Sequence, residues 1–170
     1  MIYQPRNLLI TGEWKADGPN LPVEFRRRSD DGRLTLVVTA DSAPTRVLWC
    51  AMTPETIEMC AESMRERECP KRPDWIGWWT KQRHSGHLHA DSIGAWAVDQ
   101  GLKGVVWAAL PAKWNRKNDI APTKDEAIAY LRGLSGKQFT DARDYICNAP
   151  RQVQTPWRAA LESAVSGEDD

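Results

Sequence analysis

The carboxylates at the end of a predicted helix offer acid–base chemistry. Apolar residues at helical spacing after Thr53-Pro54 predict a helix that ends before Pro70, and Glu68 lies in its last turn. A carboxylate there faces the negative end of the helix dipole, which disfavours its ionised form and suits a general acid or base. Glu68 is therefore the candidate catalytic residue. The alternative is a solvated turn in which the glutamates pair with neighbouring arginines.

Two arginines on one predicted strand could bind an anion. Arg26 and Arg28 share a face with Glu24, because side chains alternate along a strand. A pair of guanidinium groups can hold a carboxylate or phosphate with bidentate geometry. The alternative is a polar outer face that pairs with the two aspartates of the following turn. Arg27 projects to the opposite side, beside apolar neighbours.

All three histidines of the chain fall in one polar loop. His84, His87 and His89 precede Asp91, and neutral imidazoles suit zinc, nickel or copper. Closely spaced ligands on one loop seldom complete a coordination shell, so an exposed polar loop is the favoured interpretation. We expect no metal and keep these histidines as candidates only.

A second loop combines tryptophan with basic residues. Residues 103–118 contain four basic and no acidic side chains, and their last part holds Lys113, Trp114, Arg116 and Lys117. Aromatic rings in a basic groove suit single-stranded nucleic acid or a partner protein. The alternative is a solvated loop beside a buried tryptophan.

Other catalytic motifs are absent from the sequence. There is no Gly-x-Ser-x-Gly elbow, no phosphate-binding glycine loop and no cysteine with an evident histidine partner. Nothing in the sequence implies a cofactor, and we expect none.

Composition limits the class of protein. The chain has 170 residues, of which 41% are hydrophobic and 27% charged, values typical of a globular domain rather than a disordered or membrane protein. Its 23 basic and 23 acidic residues cancel, so binding to nucleic acid would need a local patch. The N-terminus is interrupted by Pro5 and Arg6, and the four cysteines are scattered. We therefore expect a cytoplasmic protein with reduced thiols and no membrane contact.

The secondary-structure elements that must position these residues are mostly strands in the first part of the chain and mostly helices in the last part. Strands are predicted at 8–10, 22–28, 33–39, 46–51, 75–79 and 104–110, and helices at 53–69, 91–100, 123–133, through 139–146 and from 155. The order around 75–110 predicts one parallel crossover in an otherwise antiparallel sheet. We expect an α+β fold: a small mixed, mostly antiparallel β-sheet or barrel with packed helices and a helical C-terminal part. A single domain over 1–166 would be followed by a frayed acidic tail at 167–170.

The first 75 or so residues resemble the gamma-glutamylcyclotransferase-like fold. The resemblance rests on the strand and glycine segment Leu8–Trp14 and on a glutamate shortly before a proline, Glu68–Pro70. It implies that Gly12 and Glu13 supply backbone amides to a substrate carboxylate, while Glu68 acts as acid and base. The family usually has tyrosine before this glycine and serine or threonine after it, whereas this chain has Thr11 and Glu13.

Two further segments, Asn20–Arg28 and Val106–Trp114, resemble parts of a bacterial protein family that brings no function with it. The sequence thus favours a small-molecule-binding protein or a cyclotransferase-like enzyme for an anionic, gamma-glutamyl-type metabolite. The alternative is a non-enzymatic interaction module that binds a partner protein or nucleic acid through its Trp-rich and basic loops. Salt dependence would separate the two, because binding through the basic loop weakens with ionic strength.

Overall fold

The computed structural model describes residues 7–68 and 72–167 as an α+β fold, as the sequence predicts. Its helices are α1 Ile57–Glu68, α2 Ala90–Asp99, α3 Lys124–Arg132, α4 Gly136–Cys147 and α5 Arg158–Ser166. Its strands are β1 Ile10–Lys15, β2 Asn20–Arg28, β3 Leu34–Val38, β4 Pro44–Arg46, β5 Trp49–Met52, β6 Ile76–Thr80, β7 Gly104–Ala108, β8 Lys113–Trp114 and β9 Lys117–Asn118. No helix in these two ranges is both long and apolar enough to cross a membrane.

The chain divides into two compact units, each made of separate segments. Unit 1 comprises the residues up to Leu21 together with Arg46–Leu110, and unit 2 comprises Pro22–Thr45 together with the residues from Pro111 onward. The single domain over 1–166 stays a prediction. Of the predicted tail, Gly167 caps α5 with a φ of 71°, and 168–170 lie outside the described residues.

Unit 1 pairs β1 with β5 and β6 with β7, both antiparallel. Helices α1 and α2 pack on the β6–β7 pair. A small apolar cluster of Leu8, Met64 and Ile76 forms part of the core of this unit. Burial of these side chains holds α1 against the sheet.

The parallel crossover expected between β6 and β7 is wrong. The loop after β6 runs back alongside that strand: Trp79 bridges to His84, and the Ser85 amide donates to the Trp78 carbonyl at 3.0 Å. α2 then returns the chain to the C-terminal end of β6, where Thr80 pairs with Gly104 at the start of β7. β7 therefore enters the sheet antiparallel.

Unit 2 contains the sheet with strand order β3-β2-β8-β9. β2 and β3 form the predicted hairpin, and Gly32 in its turn adopts a φ of 90° that favours glycine. β8 is parallel to β2 at Arg27 and Lys113, and it forms a second hairpin with β9. The helices α3 and α4 both pack on α5. The C-terminal helical part predicted from the sequence thus forms the core of this unit with the sheet.

Capping side chains determine where α3 and α1 begin. α3 begins as predicted, whereas α1 begins later. Thr123 and Glu126 form the predicted capping box at α3. α1 begins later than predicted, because the Thr56 hydroxyl, rather than that of Thr53, accepts from a first-turn amide, that of Met59, at 3.3 Å. This places the residues before Thr56 in the connection from β5.

Candidate functional site

An open cleft of about 410 Å³ lies in unit 1. Its lining is mainly polar and comes from the segment that leads into β2 and the first residue of that strand, from the end of β4, and from one face of α2 and the residue after it. The side chains that matter to its chemistry are Asp17, Asn20, Arg46, Trp96, Asp99 and Gln100. Because these residues are far apart in sequence, no sequence motif indicates this site.

Gly18 allows the first wall of the cleft to form. A Cβ at Gly18 would lie 2.3 Å from the Val47 carbonyl oxygen, so only glycine fits this close approach of two backbones. The Val47 amide in turn donates to the Pro19 carbonyl at 3.1 Å. The segment around Gly18 is thereby held beside the end of β4.

Two tryptophans fix the orientation of Asp17 at the cleft. The Trp96 indole N–H donates to the Asp17 carbonyl at 3.0 Å, and the Trp49 indole N–H donates to its carboxylate at 2.7 Å. The two rings meet edge to face, with centroids 5.5 Å apart. The Lys15 ammonium lies 4.5 Å from the centre of the Trp49 ring. This network positions a carboxylate beside the indole that lines the cleft.

The charges of the cleft do not favour an anion. Two carboxylates, Asp17 and Asp99, line it with one guanidinium, Arg46, which leaves a formal charge of −1. Asn20 and Gln100 add amides that both donate and accept hydrogen bonds. An uncharged ligand rich in hydroxyl groups matches this set of donors and acceptors.

The residues chosen from the gamma-glutamylcyclotransferase resemblance lie elsewhere in unit 1. Glu68 ends α1 with its side chain 17% exposed and accepts from Arg67 Nη1 at 2.5 Å. Gly12 and Glu13 lie exposed within β1 rather than in a loop after it, and Gly12 has a φ of 75° where the pairing with β5 shifts register. Neither Glu68 nor these two residues line the cleft.

In unit 2, Arg26 and Arg28 are both engaged with side chains of the protein. Arg26 pairs with Asp41 at 2.5 Å and lies 5.1 Å from the centre of the Trp157 ring, and Arg28 lies 4.5 Å from that of Tyr130. A register shift in β2 between Phe25 and Arg27 interrupts the simple alternation on which the two-arginine face was predicted. These contacts support the sheet and the helices of unit 2.

Arg27 and Glu24 are the buried charges of β2. Arg27 Nη1 donates to the Pro111 carbonyl at 2.8 Å. Glu24 is 0% exposed and accepts from the Thr155 hydroxyl at 2.7 Å and from the amides of Phe25 and Trp157 at 2.9 and 3.2 Å. In the sequence, the burial of Glu24 is indicated by its position between two apolar residues. The prediction that Glu24 shares a polar face with Arg26 and Arg28 did not take this position into account.

Burial raises the pKa of Glu24 above its ordinary value of 4.5, although its three hydrogen bonds and nearby Arg26 act in the opposite direction. A raised pKa means that the folded state binds the proton more tightly than the unfolded state does. Protonation of Glu24 therefore contributes to the free energy of unfolding. This contribution is fully present below pH 4.5 and is lost as pH rises through the raised pKa.

For the variant Glu24→Gln, we therefore expect a pH-dependent loss of stability. The difference in unfolding free energy between wild type and variant should be largest below pH 4.5 and shrink as pH rises. Urea titrations from pH 4 to pH 8 measure it, with the exposed Glu55→Gln as a control for loss of a charge. A difference that stays constant or grows with pH would contradict the prediction.

The three histidines of the loop after β6 do not form a metal site with acidic neighbours. Within 7–68 and 72–167, no group of three or more His, Cys, Asp or Glu side chains is arranged to hold a metal ion. His84 Nε2 lies 3.4 Å from an Asp91 carboxylate oxygen, and His89 adopts a φ of 62° just before α2. Both ring nitrogens of His87 face oxygen atoms of the protein.

The basic loop of unit 2 is a tight hairpin. Asn115 and Arg116, at its tip between β8 and β9, have positive φ values of 48° and 64°. Trp114 is 7% exposed and packs edge-on against Tyr130, so its ring belongs to the core of this unit. Lys113 pairs with Asp30. Within residues 103–118, Lys103, Arg116 and Lys117 are exposed, and of these only Arg116 and Lys117 lie in the hairpin.

The described residues thus bring together a polar cleft beside Trp96, whereas none of the residues selected from sequence motifs lines it. Comparisons with known proteins add no relative to this description. No protein-family model, curated protein or solved structure matches the chain.

Proposed function

We propose that this protein binds a small, uncharged, polyhydroxylated ligand of the carbohydrate class in the cleft of unit 1. The observation that carries the proposal is an indole, Trp96, that lines the same cleft as the carboxylates of Asp17 and Asp99 and the amides of Asn20 and Gln100. The proposal keeps a small-molecule ligand, as expected from the sequence, but replaces the anionic, gamma-glutamyl-type metabolite with a neutral one.

The chemistry of a sugar ring fits this combination of side chains. One face of a pyranose carries C–H groups that pack on an aromatic ring, and its rim carries hydroxyls that donate and accept hydrogen bonds. Carboxylates accept two hydroxyl hydrogens each, while amides and a guanidinium supply donors. The open form of the cleft admits a ligand that remains partly in solvent.

Binding to immobilised or free neutral mono- and disaccharides tests the proposal. Calorimetry on the full chain is expected to find at least one neutral sugar with a higher affinity than a uronic acid or a gamma-glutamyl dipeptide. Asp99→Ala should weaken that binding about five- to tenfold, since a hydrogen bond contributes about 1 kcal/mol. Trp96→Ala should weaken it further, because the stacking surface is lost.

Matched variants separate this proposal from the resemblance-based one. Asp125→Ala removes an exposed carboxylate of α3, outside the cleft, and should leave sugar binding unchanged. The proposal is wrong if no neutral sugar binds, or if Asp99→Ala binds as wild type does. Turnover of a gamma-glutamyl dipeptide that Glu68→Gln abolishes and Asp99→Ala preserves would instead support the cyclotransferase-like reaction.

A further inference from the structure

A serine and a histidine of unit 1 meet in the loop that follows β6. Ser85 Oγ lies 2.8 Å from His87 Nδ1, and His87 Nε2 lies 2.5 Å from the backbone carbonyl oxygen of Asp74. The Trp78 amide donates to Ser85 Oγ at 3.0 Å. Three hydrogen bonds therefore run in series from the strand through the serine and the imidazole to the carbonyl.

The partners determine which ring nitrogen carries the hydrogen. A backbone carbonyl only accepts hydrogen bonds, so His87 Nε2 must donate to Asp74. In the neutral ring, Nδ1 then has a free lone pair, and the Ser85 hydroxyl donates to it. Because Ser85 Oγ accepts from the Trp78 amide, its own hydrogen is directed to the imidazole. The ring is placed to remove the proton of the hydroxyl.

Packing holds the imidazole in this orientation. The Trp107 ring meets the His87 ring nearly perpendicularly, with centroids 6.5 Å apart. Trp107 itself lies close against β6 because residue 77 is glycine: a Cβ there would lie 2.1 Å from the Trp107 ring. Ser85 and His87 are half-buried, so the pair is supported by the sheet but keeps contact with solvent.

We infer that Ser85 is a nucleophile, with His87 as its general base, for acyl transfer from small carboxylic esters. The arrangement has three of the parts of a serine hydrolase site: a nucleophile, a base within hydrogen-bond distance and a third group that orients the base. Here the Asp74 carbonyl takes the place of the usual carboxylate. The activity is distinct from ligand binding in the cleft, to which none of these residues contributes.

The reaction balances with the ester and water alone. Ser85 Oγ forms a bond to the ester carbonyl carbon and its proton passes to His87 Nδ1. The ester C–O bond then breaks, and the proton moves to the departing alkoxide, which leaves as the alcohol. Water attacks the acyl-serine with His87 again as base, which releases the carboxylic acid and restores the hydroxyl.

A fluorophosphonate reagent tests the nucleophile directly on the full chain. Its phosphorus forms a bond to a reactive serine oxygen while fluoride leaves, and peptide mass spectrometry locates the modified residue. We expect modification at Ser85 and, in parallel, hydrolysis of p-nitrophenyl acetate. His87→Gln keeps a donor for the Asp74 carbonyl but removes the base, so both rates should fall at least 100-fold.

Two further variants keep the result interpretable. Ser85→Ala should abolish modification and hydrolysis, and near-ultraviolet circular dichroism checks that its tryptophans remain packed. Ser135→Ala removes an exposed hydroxyl that makes no capping hydrogen bond at α4, and it should react as wild type does. Modification only at other serines, or equal rates in wild type and folded His87→Gln, would overturn the inference.

Discussion

Replacing Arg158 with methionine is expected to lower the free energy of unfolding by about 3–5 kcal/mol, because a buried guanidinium that donates to three backbone carbonyls is removed. The Arg158 side chain is 4% exposed and lies at the start of α5. Its Nη1 donates to the carbonyls of Pro150 and Val153 at 2.7 and 2.9 Å, and its Nη2 donates to that of Ala149 at 2.7 Å.

The fourth contact of Arg158 adds to the effect. Nε donates to the Glu162 carboxylate at 2.7 Å, one turn along the same helix. Methionine retains much of the apolar volume but none of the donors, so three carbonyls and one carboxylate lose the hydrogen bonds that the guanidinium donates. The connection between α4 and α5 is therefore the part of unit 2 expected to loosen.

Urea denaturation of wild type, Arg158→Met and Arg143→Met measures this prediction. Arg143 is exposed on α4 and its guanidinium lies 3.5 Å from the carboxylate of the neighbouring Asp144, so its loss should change stability by less than about 0.5 kcal/mol. If the two variants unfold at the same urea concentration, the buried network contributes nothing measurable. A smaller change in Arg158→Lys would show how much of the effect is charge alone.

Local structure that depends on residues close together in the sequence could be predicted from the sequence. The capping box at Thr123 and the hairpin turn at Gly32 depend on side chains and backbone within a few residues, and the structure has both. The α+β class follows from the same local patterns. Sequence order alone could not give the direction of β7, because the backbone bonds of the loop at Ser85 determine it.

The candidate sites depend on contacts that the sequence does not display. The cleft needs Asp17, Arg46 and Asp99 side by side, and only the folded chain brings these residues together. The Ser85–His87 pair was visible as two polar residues in a histidine-rich loop, but its third member is a backbone carbonyl, which no motif of side chains can reveal. The buried orientation of the Glu24 carboxylate likewise depends on the hydrogen bond from the hydroxyl of Thr155, which lies 131 residues further along the chain.

Replacing Gly94 with alanine is expected to destabilise the protein, although the same change in most helices is stabilising. Alanine has a higher helix propensity than glycine by about 1 kcal/mol. A Cβ at Gly94, however, would lie 2.2 Å from Nε1 and 2.5 Å from Cε2 of the Trp79 ring. Because Trp79 is buried in β6, its ring has little room to move, and the overlap should cost about 1–3 kcal/mol net.

The same substitution should weaken the cleft, because α2 carries both Gly94 and the cleft residues Trp96 and Asp99. If α2 is displaced away from Trp79, the side chains of Trp96 and Asp99 shift with the helix. The affinity for a sugar ligand should therefore fall along with the free energy of unfolding. Gly133→Ala is the matched control: its φ of −82° suits alanine, and the nearest atoms to a Cβ are at 3.5 Å. Thermal unfolding and calorimetry on both variants measure the two effects. Gly94→Ala with unchanged or higher stability would mean that Trp79 moves freely, and the helix position would then not be fixed by this contact.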